Sequence, residues 1–166
     1  MKPITTGKLI AAAFLLAASS SAAAAWPEQP IRLTVGFPAG TGPDIVARTV
    51  GEQLSKELGQ PVVVENKAGA GGQIAAQSVA NATPNGYNIL LGEVGSISIS
   101  PETTSELSYK PLRDFAPITE AVRADFVLVT PPDSKYADLK TFIKDAKADN
   151  NIFNFATFGA GTPGHF

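Results

Sequence analysis

Residues 31–92 switch repeatedly between a two-residue and a 3.6-residue apolar period, and that alternation narrows the fold more than any other feature. Ile31, Leu33, Val35 and Phe37 alternate with Arg32, Thr34 and Gly36, the period of a strand. A helix is predicted from Pro43, a residue suited to the first helical position. Val46, Val50, Leu54 and Leu58 form its apolar stripe and Gly59 stops it. PVVVE, residues 61–65, is a short β-branched run and reads as a strand buried on both faces. NKAGAGGQ then turns into a small-residue helix through Ile74, Ala75 and Val79, and TPNGY leads to a third strand, NILLG. Strand–helix–strand–helix–strand with short turns predicts an α/β fold with a parallel sheet and right-handed crossovers.

After Gly92 the pattern loosens. Residues 93–115 are polar and turn-rich, with one weak helical stretch at most. APITEAV and DFVLVTPP are expected as strands. Leu139, Phe142, Ile143 and Ala146 predict a helix ending near Asn150, NFAT a further strand, and FGAGTPG another Gly-rich turn before His165 and Phe166. A strand and a helix entrance with no helix after them read as an unfinished unit.

At the other end, Lys2 and Lys8 flank an apolar run over residues 9–18, followed by small residues to Ala25. A positive flank, a short apolar core and an Ala-x-Ala exit predict a secretory signal peptide over residues 1–25, with Trp26 as the mature start. Removing both lysines takes the formal net charge from −2 to −4, which argues against nucleic acid as a partner. The sequence has no cysteine, so thiolate and disulfide chemistry are excluded. G-x-x-x-x-G-K-[ST] and G-x-S-x-G are absent, and neither of the first two Gly clusters completes G-x-G-x-x-G. With a single histidine, neither nucleophilic catalysis nor a His-based metal site is expected, so the reading is not an enzyme and no cofactor is assigned.

VGFPAGTGPD (residues 35–44) and TFGAGTPGH (residues 157–165) echo each other: a strand, a small-residue turn, then Pro or Gly at a helix start. In open α/β sheets ligands bind at such carboxyl-end turns. Four stretches carry a more specific likeness. WPEQPIRLTVGFPAGTGPDIVAR, LGQPVVVENKAGAGGQIAAQSVANATPNGYNILLG, YKPLRDFAPIT and NFATFGAGTPGH, in this order, closely resemble the extracytoplasmic solute-binding receptors of tripartite tricarboxylate transporters, the Bug-type proteins. The resemblance implies a periplasmic-binding-protein-like fold of type II, two hinged lobes that capture a small organic acid in the periplasm. It implies a monomer that hands its ligand to membrane permease subunits and does no catalysis. Lobe one would occupy residues 26–122, with residues 123–166 the crossover and the start of a truncated lobe two. The alternative is a truncated remnant of such a receptor that no longer binds.

Carried over by position, Phe37, Pro38, Ala39, Gly40, Thr41, Gly42 and Asp44 form the family's first ligand loop. A carboxylate suits the unpaired amides and positive dipole end of a helix start. Pro43 stands where relatives often place a polar residue, and it removes one donor. Asp44 either organises the pocket or is simply an acid in the first helical turn, since direct contact with a ligand carboxylate would repel. Gly95 and Ser96 belong to the second loop, where Glu93 replaces a small polar residue and is expected to point to solvent. Thr157, Gly159, Ala160, Gly161 and Thr162 form the third. Phe158, also in place of a small polar residue, would narrow the site or favour an apolar ligand tail. His165 matches the motif but reads as a surface residue, and NKAGAGGQ as a structural turn.

Overall fold

The computed structural model describes residues 26–136, 138–148, 154 and 156–165. The expected signal peptide lies outside them. Three parallel strands form one sheet in the order β2-β1-β3: β1 Ile31–Val35, β2 Val62–Asn66 and β3 Asn88–Leu91. β1 is flanked on both sides and is the most buried of the three. Leu33 lies opposite Val64 on one side and Ile89 on the other, so one row of side chains crosses the sheet. Ile31 and Val35 are fully buried, each contributing roughly 1.5–3 kcal/mol.

Helix α1, Gly42–Leu58, begins with Pro43 in its first turn and ends at Gly59 with φ +66°, as the sequence predicts. It packs on β1 and β2 through Ala47 and Gly51, both buried. A Cβ at Gly51 would already touch Val62 Cγ1 at 3.4 Å, so the glycine lets helix and strand approach. Ser55 ties the two further: its hydroxyl donates to Gly51 O at 2.7 Å and accepts from the Val62 amide at 2.8 Å. Helix α2, Gln73–Ala80, packs on β3 and β1. The first crossover runs outward from β1 to β2 and the second runs back from β2 past β1 to β3, so right-handed connections put α1 and α2 on opposite faces. Thr34, on the alternate face of β1 from Leu33, is accordingly buried.

Three expectations need correction. β2 is not buried on both faces: Val63 is 54 % exposed. The strand lies at the edge of the described sheet, and α2 sits over β1 and β3 instead, leaving that side of β2 uncovered. Second, residues 93–115 hold more helix than expected. A π-helical turn, Gly95–Ile99, runs directly into α3, Ser100–Thr103, and α4 follows at Pro111–Asp114. Tyr109, 2 % exposed, donates from its hydroxyl to Ser96 O at 2.6 Å and anchors the stretch. Gln73 Nε2 donates to Ser100 Oγ at 3.0 Å and links it to α2. Third, APITEAV and DFVLVTPP form no strand. β-propensity makes a strand only where a neighbour supplies the ladder, and among the described residues no strand pairs with them.

Helix α5, Leu139–Ala148, matches the predicted helix; Asp138 caps it by accepting from the Thr141 amide at 2.7 Å. The described residues of NFAT, namely Asn154, Ala156 and Thr157, are not in a strand, and Phe155 lies outside the described residues.

Candidate functional site

The turns at the carboxyl ends of the strands meet the distal Gly-rich turn through glycines. Gly36 follows β1, and a Cβ there would lie 2.6 Å from Gly72 Cα. A Cβ on Gly71 would lie 2.7 Å from Gly161 O, and one on Gly95 would lie 2.8 Å from the same oxygen. Backbone thus packs on backbone across segments separated by long stretches of sequence. A 3₁₀ turn, Ala70–Gly72, is the segment the others share, and it carries Gly71 at φ +61°.

Beside this seam opens a concavity of about 340 Å³. Phe37 and Pro38 line it from the β1 turn, residues 68–71 from the β2 turn, and Phe158, Gly159, Ala160 and Thr162 from the distal turn. No lining residue carries a charge. The single side-chain hydroxyl, on Thr162, donates to Gly159 O.

The structure therefore brings Phe37, Pro38, Gly159, Ala160 and Thr162 together. Ala39, Gly40, Thr41, Gly42 and Asp44 lie in the adjoining turn and helix start without lining the concavity. Gly95 and Ser96 are buried behind the seam, where Ser96 Oγ donates to Glu93 O at 3.2 Å. Gly161 holds the seam, and its amide donates to His165 Nδ1 at 3.3 Å. Thr157 is exposed and accepts from the Gly159 amide at 3.3 Å. The NKAGAGGQ turn, read from sequence as structural, lines the concavity as well as closing the seam. Its place at the carboxyl end of β2 is the signal that marks it, the same signal used for the other turns.

Asp44 organises the first loop. The residue is 2 % exposed, and its carboxylate accepts from the Gly40 amide at 2.8 Å, Arg48 Nε at 3.0 Å and Asn66 Nδ2 at 2.9 Å. Asn66 Nδ2 also donates to Phe37 O at 3.0 Å. One acid therefore binds the turn after β1, helix α1 and the end of β2. The Arg48 guanidinium, then the Gly40 amide and Asn66, hold the Asp44 carboxyl well below the usual carboxylate range. Arg48 and Asn66 were not singled out by the sequence; only the fold places positions 44, 48 and 66 side by side. Thr41 spends its hydroxyl on Pro38 O at 2.7 Å and makes no capping bond to the first-turn amides of α1.

Glu93 is half-buried, not directed to solvent as expected, and burial pushes its carboxyl above the usual value. Gly159, Gly161 and Gly164 also complete a G-x-G-x-x-G spacing. That fingerprint holds a nucleotide only between a strand and a helix, and the described residues around it form turns.

Residues 46–166 match the model of the tripartite tricarboxylate transporter family receptor. The chain belongs to that receptor family. A UPF0065 protein of Bordetella pertussis is 39 % identical over 166 residues, covering 99 % of this chain and 51 % of its own length. The chain thus spans about half the length of that relative. Among solved structures, a periplasmic transporter superposes with a TM-score of 0.65 at 38 % identity, covering 75 % of this chain and 42 % of its own. MatC from Rhodopseudomonas palustris with bound malate superposes with a TM-score of 0.53 at 37 % identity, covering 55 % of this chain and 31 % of its own. These receptor relatives give the α/β unit its place: it is part of a periplasmic-binding-protein-like fold.

Proposed function

We propose that this chain captures a small organic acid outside the cytoplasm for a tripartite tricarboxylate-type secondary transporter. The observation that carries the reading is the concavity itself. It sits at the carboxyl ends of parallel strands, where α/β folds bind ligands, and is walled by Gly-rich turns with no charged side chain. Such a site meets an anion with backbone amides, which glycines bring close. The bound malate of MatC, a family structure 37 % identical to this chain, supports a carboxylate as ligand. The reading includes residues 1–25 as a cleaved signal peptide, export to the periplasm, a monomer with residues 26–122 as lobe one, and permease subunits as acceptors. The proposed contacts are Phe37, Pro38, Gly159, Ala160 and Thr162, with residues 39–42, Asp44, Gly95, Ser96, Thr157 and Gly161 holding those turns in place.

A second reading, a chain that keeps the fold and has lost binding, draws on the apolar stretch over residues 116–131. It is exposed almost throughout and joins no sheet. Calorimetric titration of the purified chain with a panel of small carboxylic acids separates the two. Saturable, stoichiometric binding of one acid supports the receptor; no heat with any acid supports the second reading. Intact mass from a periplasmic extract tests export, which requires a species beginning at Trp26.

A further inference from the structure

We infer that the concavity is selective for an acid with one carboxylate and an apolar body, with Phe158 as the residue that sets this preference. The inference rests on the receptor reading and narrows it. Among the lining residues, Phe37, Pro38 and Phe158 supply apolar walls and the rest is Gly and Ala backbone plus Thr162, whose hydroxyl is already committed to Gly159 O. The cation described at the first loop, Arg48, is held by Asp44 and Asn66. A ligand carboxylate must therefore be met by turn amides. A hydroxy-diacid would set its second carboxylate or its hydroxyl against phenyl rings, where nothing replaces the lost water and the negative ring face repels the charge.

Phe158 is built into place for this role. It is 53 % exposed, yet its ring is fixed on two sides. Phe126 stacks on it with centroids 5.5 Å apart and planes 1° from parallel. Gly164 passes so close that a Cβ there would lie 2.8 Å from Phe158 Cε1. A positioned aromatic ring left half in water at the lip of a small cavity gains most from a ligand that covers it with apolar surface. A volume of about 340 Å³ is enough for a single ring or a short alkyl chain.

The test is calorimetric titration of the full chain with benzoate, hexanoate, malate and benzyl alcohol, repeated on Phe158→Ser and Phe126→Ala. The expected result is benzoate or hexanoate binding at least about tenfold tighter than malate, with benzyl alcohol weak because it lacks the anion. Phe158→Ser should weaken the favoured acid by about tenfold and tighten malate, which no longer faces that ring, and Phe126→Ala should do the same to a smaller degree. Malate binding more tightly than both apolar acids overturns this inference and leaves the receptor reading standing. Binding by none of the three acids overturns both. An equal loss for all acids in Phe158→Ser overturns the selective role of that ring. If Phe158→Ser does not fold, the wild-type ranking together with Phe126→Ala decides.

Discussion

Two carboxylates in this chain are held in opposite directions, and acid should reveal them. Asp44 keeps its charge because Arg48, the Gly40 amide and Asn66 all favour the ionised form. Its folded value lies below its unfolded one, so its contribution is complete above about pH 4 and is lost as pH falls further. Asp44→Asn should be less stable than wild type at pH 7 and should show a shallower loss between about pH 4 and pH 2 in urea unfolding. Asp114, lowered by Arg113 and the Lys110 amide, has the same sign, so the slope should shrink without vanishing. Glu93 is the reverse case. Burial raises its folded value, so its favourable contribution is present at acid pH and lost as pH rises through that value. Glu93→Gln should raise Tm at pH 7 by a few degrees, roughly, and leave it unchanged near pH 4. The other sensitive residue is Gly95. Its added methyl would meet a carbonyl of the distal turn and not a side chain able to swing away. Gly95→Ala should therefore cost about 1–3 kcal/mol in denaturant unfolding and displace residues 159–162 from the seam.

Among the elements, the π-helical turn and α3 are the ones whose stability hangs on contacts from outside the segment. Gly95–Ile99 and Ser100–Thr103 together hold a Gly, several Ser and a Pro, a poor helix by intrinsic preference. Tyr109 compensates by donating to Ser96 O from a buried position. Tyr109→Phe should cost about 1–3 kcal/mol, because it strands that carbonyl without a partner. Amide hydrogen exchange should then speed up in residues 95–103 before β1 is affected. This element also explains where sequence reading stopped. Periodicity identifies helices that carry an apolar stripe, as α1 and α5 do, but the turn leading into α3 is set by a phenol beyond its own end. The predicted strands in APITEAV and DFVLVTPP missed for the complementary reason: apolar β-branched residues state a preference, and a ladder needs a neighbour.

At the scale of the molecule, the described chain divides into a packed α/β unit and a long apolar stretch that faces solvent. Val127 and Val129 are 82 % and 79 % exposed, and Phe126 and Leu128 are exposed beside them. A contiguous surface of that kind drives association. Replacing both Val127 and Val129 by Ser should lower light scattering at high protein concentration while leaving the unfolding midpoint of the α/β unit unchanged. The same outcome would separate surface stickiness from folding, since neither valine packs in the core around Leu33, Val35 and Ala47.

What the sequence by itself determined is the order of elements over residues 31–92 and their ends, together with helix α5. The two-residue period of β1, the stripe from Val46 to Leu58, Gly59 as the stop and the Gly-rich turns all act through near neighbours, so a linear reading reaches them. The family likeness was legible for the same reason, in four motifs that are each contiguous. Tertiary structure alone decided which turns share a wall, that Asp44 closes the first loop through Arg48 and Asn66, and that NKAGAGGQ faces the concavity. It also decided that Gly36, Gly71 and Gly95 are glycines because backbones meet there. Those outcomes depend on distances between residues far apart in the chain, which are set only when the sheet order places β1 between β2 and β3.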